Sequence, residues 1–161
     1  MTRHKYPRPE PVELGVEIEK EKVYGRVRIE TAYLAAKSQD AAAYDTMRAV
    51  QSDDELLDGH YADALAYAVV LLQRYTDGME EADGKTTIHL SLPPDIDRAV
   101  LPAIGRWVEN YVTRYVTGRW LSQFDTQLGA AWLAEAEATA DLVRTNLNAR
   151  SRPVRRRKSV F

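Results

Sequence analysis

Apolar residues alternate with polar ones at Val12, Leu14, Val16 and Ile18, with Glu13, Gly15 and Glu17 between them. That is the period of a half-buried strand. Ile88, Leu90 and Leu92 alternate with Thr87, His89 and Ser91 in the same way. They predict a second strand, paired with residues 12–18. Residues 20–38 fit two patterns. Val23, Gly25, Val27 and Ile29 alternate as a strand would, whereas Val23, Val27, Thr31 and Leu34 make a helical stripe. The run AYLAAK is rich in strong helix formers, so a helix over 20–38 is the preferred reading.

The remaining periodicity is helical. Ser52 and Glu55 in SDDELL have the spacing of a capping box. They open a helix reaching about Tyr75, with Leu57, Tyr61, Ala64, Ala68, Leu71 and Tyr75 on its buried stripe. The segment QDAAAYDTMRAVQ before it reads as a connector, partly helical. TDGMEEADGK, with two Asp-Gly pairs, reads as a polar turn region. PPD after the second strand starts a third helix carrying Leu101, Ile104, Val108, Tyr111, Val112, Tyr115 and Leu121. Pro102 either kinks it or marks its first turn. A break near Asp125 precedes a last helix over 126–149, with Leu128, Trp132, Ala138, Leu142 and Leu147 inward. The expected fold is mainly α: a four-helix bundle-like domain with a small two-stranded β element and extended basic termini. Its parts are an extended arm over residues 1–11, with three prolines, one helical domain over 12–149, and a basic tail over 150–161.

Charge sharpens this picture. The 161 residues carry a net charge of −2, with 22 basic and 24 acidic residues. Residues 150–158 hold six bases (Arg150, Arg152, Arg155, Arg156, Arg157 and Lys158) and no acid. Residues 1–9 add Arg3, Lys5 and Arg8. The body between keeps 13 basic against 24 acidic residues, a charge of −11. A basic tail of this kind neutralises phosphates in a salt-sensitive way or docks on an acidic protein surface. The body of a neighbouring copy is one such surface.

Candidate chemistry is sparse. With no cysteine, disulfides, iron–sulfur clusters and thiolate zinc sites are excluded. No secretory signal follows the N-terminus, and no run approaches the ~20 apolar residues of a membrane span. Asp54, Glu55, Asp58, His60 and Asp63 crowd one helix start, but Glu55/Asp58 and His60/Asp63 face different ways and no Glu-x-x-His occurs. A capped, solvated helix start is the expectation, with no metal and no cofactor. His4 falls in the arm and His89 on an outward strand face. ADGK lacks the glycine and hydroxyl pattern of a phosphate loop, and neither a nucleophile elbow nor a dinucleotide fingerprint is present. No enzymatic activity or small-molecule substrate is expected. Arg106, Arg114 and Arg119 interleave with Trp107, Tyr111, Tyr115 and Trp120, which would suit nucleic-acid stacking. The spacing of the aromatic residues suits a core stripe with arginine margins better.

The order of EKVYGRVRIETAYLAAK, AAYDTMRAVQSDDELL, LSLPPDID, VENYVTRYVTGRWL and RSRPVRR, over about residues 16–156, resembles small virion structural proteins of tailed phages and prophages of gut Bacteroidota. These are similar in layout to head–tail connector or neck proteins. The resemblance implies a homo-oligomeric ring between portal and tail, acting by packing and docking, with assembly in the host cytoplasm. Its partners would be the portal and other neck or tail proteins, with packaged DNA as a further contact. It favours the helix for residues 20–38. The alternative is a nucleic-acid-binding accessory protein using the basic tail, against which the acidic body argues.

Overall fold

A computed structural model describes residues 9–38 and 41–151. Strand β1, Val12–Glu19, runs directly into helix α1, Lys20–Lys37. The ambiguous segment is therefore helical, and Val23, Tyr24, Val27, Thr31 and Ala35 are its buried residues. Ile29, which a strand would have turned inward, is 70% exposed. A short helix, α2 (Ala41–Met47), and a 3-10 turn lead to α3, Asp54–Leu72. The expected Ser52/Glu55 box does not form. The chain turns two residues earlier, and the Val50 N–H donates to Asp53 Oδ2 at 2.9 Å.

The expected two-stranded element is a three-stranded antiparallel sheet. The polar stretch after α3 forms β2, Thr76–Ala82, which pairs with β3, Lys85–Leu92, and the strand order is β1-β3-β2. The cause is local. Asp83 and Gly84 both take positive φ, 52° and 75°, the two-residue hairpin turn that Asp-Gly favours because it matches strand twist. Backbone pairing, not apolar alternation, makes this strand. A register shift between Thr76 and Gly78 leaves Asp77 as a bulge. The expected β1–β3 pairing holds, with Val16 opposite Ile88 and Leu14 opposite Leu90.

Helix α4, Leu101–Leu121, follows a 3-10 turn capped by Asp97, whose Oδ1 accepts from the Ala99 N–H at 3.0 Å. Pro102 lies in its first turn, where a missing N–H costs nothing. Ser122–Asp125 makes the break, and Asp125 Oδ1 caps α5, Thr126–Leu147, through the Leu128 N–H at 2.9 Å.

Helix α4 packs against α1, α3, α5 and β1, so it is the centre of the molecule. Buried residues occur all round it, from Ile104 and Val108 to Thr113, Val116, Thr117 and Trp120. The described residues thus form one central helix wrapped by three long helices and a sheet, not four equivalent helices. The inward side of α5 also differs from expectation. Gly129, Ala136, Thr139, Ala140, Val143 and Leu147 are buried, while Ala138 and Leu142 face solvent. In a helix this rich in alanine the large apolar residues do not mark the inward side, and close approach decides which side goes in. A Cβ on Gly118 would lie 2.9 Å from Leu133 Cγ, and one on Gly129 would collide with Ser122 Oγ.

Two polar ties bind these layers. Thr31 Oγ1 donates to the Val27 carbonyl and accepts from the Ala49 N–H at 3.0 Å. Trp120 Nε1 donates to the Met47 carbonyl at 2.7 Å. Together they hold the connector on the core. No helix among the described residues is long and apolar enough to cross a membrane.

Candidate functional site

The basic tail has a well-defined root. Arg150 Nε lies 3.3 Å from Asp95 Oδ1, and Arg150 Nη1 donates to the carbonyls of Leu147 and Ala149 at 3.1 and 3.0 Å. Arg150 bridges to Ile96, the Ser151 N–H donates to the Asp95 carbonyl at 2.9 Å, and the Asp97 N–H donates to the Ala149 carbonyl at 3.2 Å. Arg150 is therefore an anchor that closes the end of α5 against the 95–97 turn, and attachment runs two residues past the expected boundary. Arg152, Arg155, Arg156, Arg157 and Lys158, like residues 1–8, lie outside the described residues.

The other candidates separate. Positions 106, 114 and 119 point three different ways at 3.6 residues per turn. Arg114 is tied to α5, 2.5 Å from Thr139 Oγ1 and 3.7 Å from Glu135, so the three arginines make no common face. Tyr111 and Trp120 are core residues, and Trp107 and Tyr115 pack against the core. The acidic start of α3 is occupied by cations from α1: Asp54 pairs with Arg28, and Asp58 pairs with Lys20 at 2.6 Å while accepting from the Tyr24 hydroxyl. The Lys20 bond, then the Tyr24 bond, holds the Asp58 carboxyl below its ordinary range. Burial, then that same carboxylate, pushes the Tyr24 hydroxyl far above its own. Among the described residues no three His, Asp or Glu side chains gather as metal ligands.

A second polar cluster joins α1 to α4. Glu109 is buried, with Lys22 Nζ at 2.9 Å and Arg26 Nη1 at 3.5 Å. Arg26 also donates to Asn110 Oδ1 at 2.7 Å. The neighbouring Glu30 accepts from Thr117 Oγ1 at 3.4 Å, and its pKa is raised because burial outweighs Arg26. Every charge here faces an opposite one, the pattern of a structural clasp.

What the sequence reading missed is an uncovered surface beside β2. In register with β3, Met79 lies opposite Ile88 and Glu81 opposite Thr86. They stand on the core side of the sheet, yet the helical layer stops short of them and Met79 is 54% exposed. Between β2 and α3 lies a groove of about 430 Å³. Its floor is Tyr61, Leu65, Val69 and Met79, and its rim carries Lys20, Asp58 and Glu81. Thr86 at its end is buried, as is Tyr61, whose hydroxyl has no hydrogen-bond partner of normal geometry. Burial raises the Tyr61 pKa, against a smaller opposing effect of the Thr86 hydroxyl. The signal for this site was the Asp-Gly hairpin turn. It announces a strand on each side, even where one strand lacks apolar alternation.

The α3 surface is open elsewhere as well. Leu56, Tyr67 and Val70 are exposed, and Tyr67 and Val70 border a groove of about 370 Å³ shared with α5. No protein-family profile matches the chain, and neither a curated protein nor a solved structure matches it.

Proposed function

We propose that this protein is a structural component of a tailed-phage virion, in the neck between portal and tail. There it forms a homo-oligomeric ring by protein–protein packing. The supporting observation is the union of an acidic body with a basic segment rooted at one fixed point. Arg150 and Ser151 clamp the chain to Asp95, and five of the next seven residues are cations. A charged arm fastened at its root suits reach toward a neighbour more than chemistry on a small molecule. The open faces of α3 and β2 add apolar surface of the kind that assemblies cover.

Mass spectrometry of purified native virions tests this reading, with the protein expected in intact particles at many copies. Its absence from them would sink the proposal. Contact of the arm with packaged DNA is the competing role. A salt titration of DNA binding, with and without residues 152–161, separates the two. Loss of binding over a narrow salt range only in the full chain would favour DNA.

A further inference from the structure

The geometry points to the groove between α3 and β2 as the receptor for residues 152–158 of a second copy of this chain, giving head-to-tail association. The inference rests on the arm-docking reading above and names the surface that reading leaves open.

Charge selects this groove from the others. The groove between α3 and α5 carries Arg74 and Arg144 against Glu137 alone. A third, about 410 Å³ between β1, α1 and α4, carries Lys22, Arg26 and Arg106 against Glu17 and Glu109. Each lining carries one cation more than it has carboxylates, and a fourth groove of about 320 Å³ balances Arg114 with Glu135, so none of the three draws a segment with five cations. Beside β2 the sign is reversed. Lys20 is already bound to Asp58, and Glu81 in the lining has no ion-pair partner among the described residues; Asp77 and Asp83, on the same strand and its turn, add negative charge near it. A cationic segment would supply that partner, while Pro153 and Val154 supply apolar surface for the floor. β2 is also a sheet edge, and its unpaired backbone groups accept an added strand. Pro, which has no N–H to offer a ladder, is tolerated at such edges.

Position makes the contact one between subunits. The groove lies at the Thr86 end of β3, whereas the arm leaves the body at Asp95, beyond the Leu92 end. Six residues of strand separate these ends by about 20 Å. Each subunit therefore has a donor at one end of its sheet and an acceptor at the other. Repeating such a contact generates a ring when the rotation closes. Residues 152–158 span up to about 24 Å when extended; reaching the groove of their own subunit would use about 20 Å of that and bring in only the last residue or so, whereas a neighbour's groove set at the arm's root can take the whole segment.

The test compares three full-length or near-full-length proteins by sedimentation velocity at low salt: the full chain, a chain lacking residues 152–161, and the double variant Met79→Lys/Glu81→Lys. Circular dichroism checks that each is folded. Only the full chain is expected to self-associate, and each altered protein should lose at least about tenfold in affinity. Mixing the two altered proteins should restore a one-to-one complex, because one keeps the arm and the other the groove. If the truncated chain stays monomeric while the double variant assembles normally, the arm docks elsewhere: the groove assignment falls and the arm-docking reading survives. If truncation leaves assembly unchanged, or the full chain is monomeric throughout, both fall. A mixture that stays monomeric overturns the groove assignment.

Discussion

Glu109 and Glu30 are carboxylates on the same α1–α4 seam, with opposite expected consequences. Glu109 is buried between Lys22 and Arg26, and Glu109→Gln would leave Lys22 without its carboxylate and Arg26 with only Glu30 and Asn110. A loss of about 1–3 kcal/mol is expected, the usual cost of breaking a charged hydrogen bond, read by urea denaturation. Glu30 has a raised pKa because burial outweighs Arg26. A raised carboxyl gives stability that is full below its unfolded pKa and lost as pH rises through the folded value. Glu30→Gln should therefore leave the denaturation midpoint at neutral pH unchanged or higher, while lowering the relative advantage at acid pH. His60 runs the other way. Burial first, then Arg119, lowers its pKa, so stability is full above the ordinary histidine value near 6.5 and falls as pH drops through the folded one. His60→Gln should flatten the loss of stability just below neutrality, measured as midpoint against pH.

At the scale of elements, the contact of α4 with α5 depends on positions without side chains. A methyl group at Gly129 would meet Ser122 backbone nitrogen at 2.6 Å, and backbone cannot swing aside. Gly129→Ala is expected to cost about 1–3 kcal/mol by overpacking, seen as a lower thermal midpoint, with more lost for Gly129→Val. The same contact explains why hydropathy misplaced the inward face of α5. Alanines at 130, 131, 134, 136, 138 and 140 fall on both the buried and the exposed side, and Trp132, expected inward, is only partly buried. The helix turns its smallest residues to α4 because that allows the axes to approach. By contrast, the stripe on α3 was legible: Leu57, Tyr61, Ala64 and Ala68 are all buried at helical spacing, and Asp58, His60 and Asp63 mark the polar side of its first half. Leu71 gives way to Leu72 where the helix nears its end.

For the whole molecule, the cut point of a C-terminal truncation matters. Removing residues 152–161 takes away none of the described contacts, and the thermal midpoint should not move. Removing residues 150–161 also deletes the Arg150–Asp95 pair and the Ser151 hydrogen bonds to the 95–97 turn. The midpoint should then fall by a few degrees, about 2–4 °C per kcal/mol for a chain of this size. Equal midpoints for the two truncated chains would show that Arg150 is not an anchor. The distinction also sharpens any assembly experiment, since only the shorter deletion alters the arm without loosening the body.

Strand β1, helix α1, the long amphipathic helices and the separation of an acidic body from basic ends were all readable in the chain, because periodicity and charge are local properties. The candidate site was legible only in part: the basic residues stood out, whereas their root and the groove beside β2 did not. Asp95 meets Arg150 across 55 positions, and Met79 lies open although its register with Ile88 puts it on the core side of the sheet. Such facts depend on which surfaces meet after folding. The tertiary structure alone decided that α4 is central, which face of α5 is buried, and that the Arg150 anchor and the groove beside β2 lie at opposite ends of one sheet.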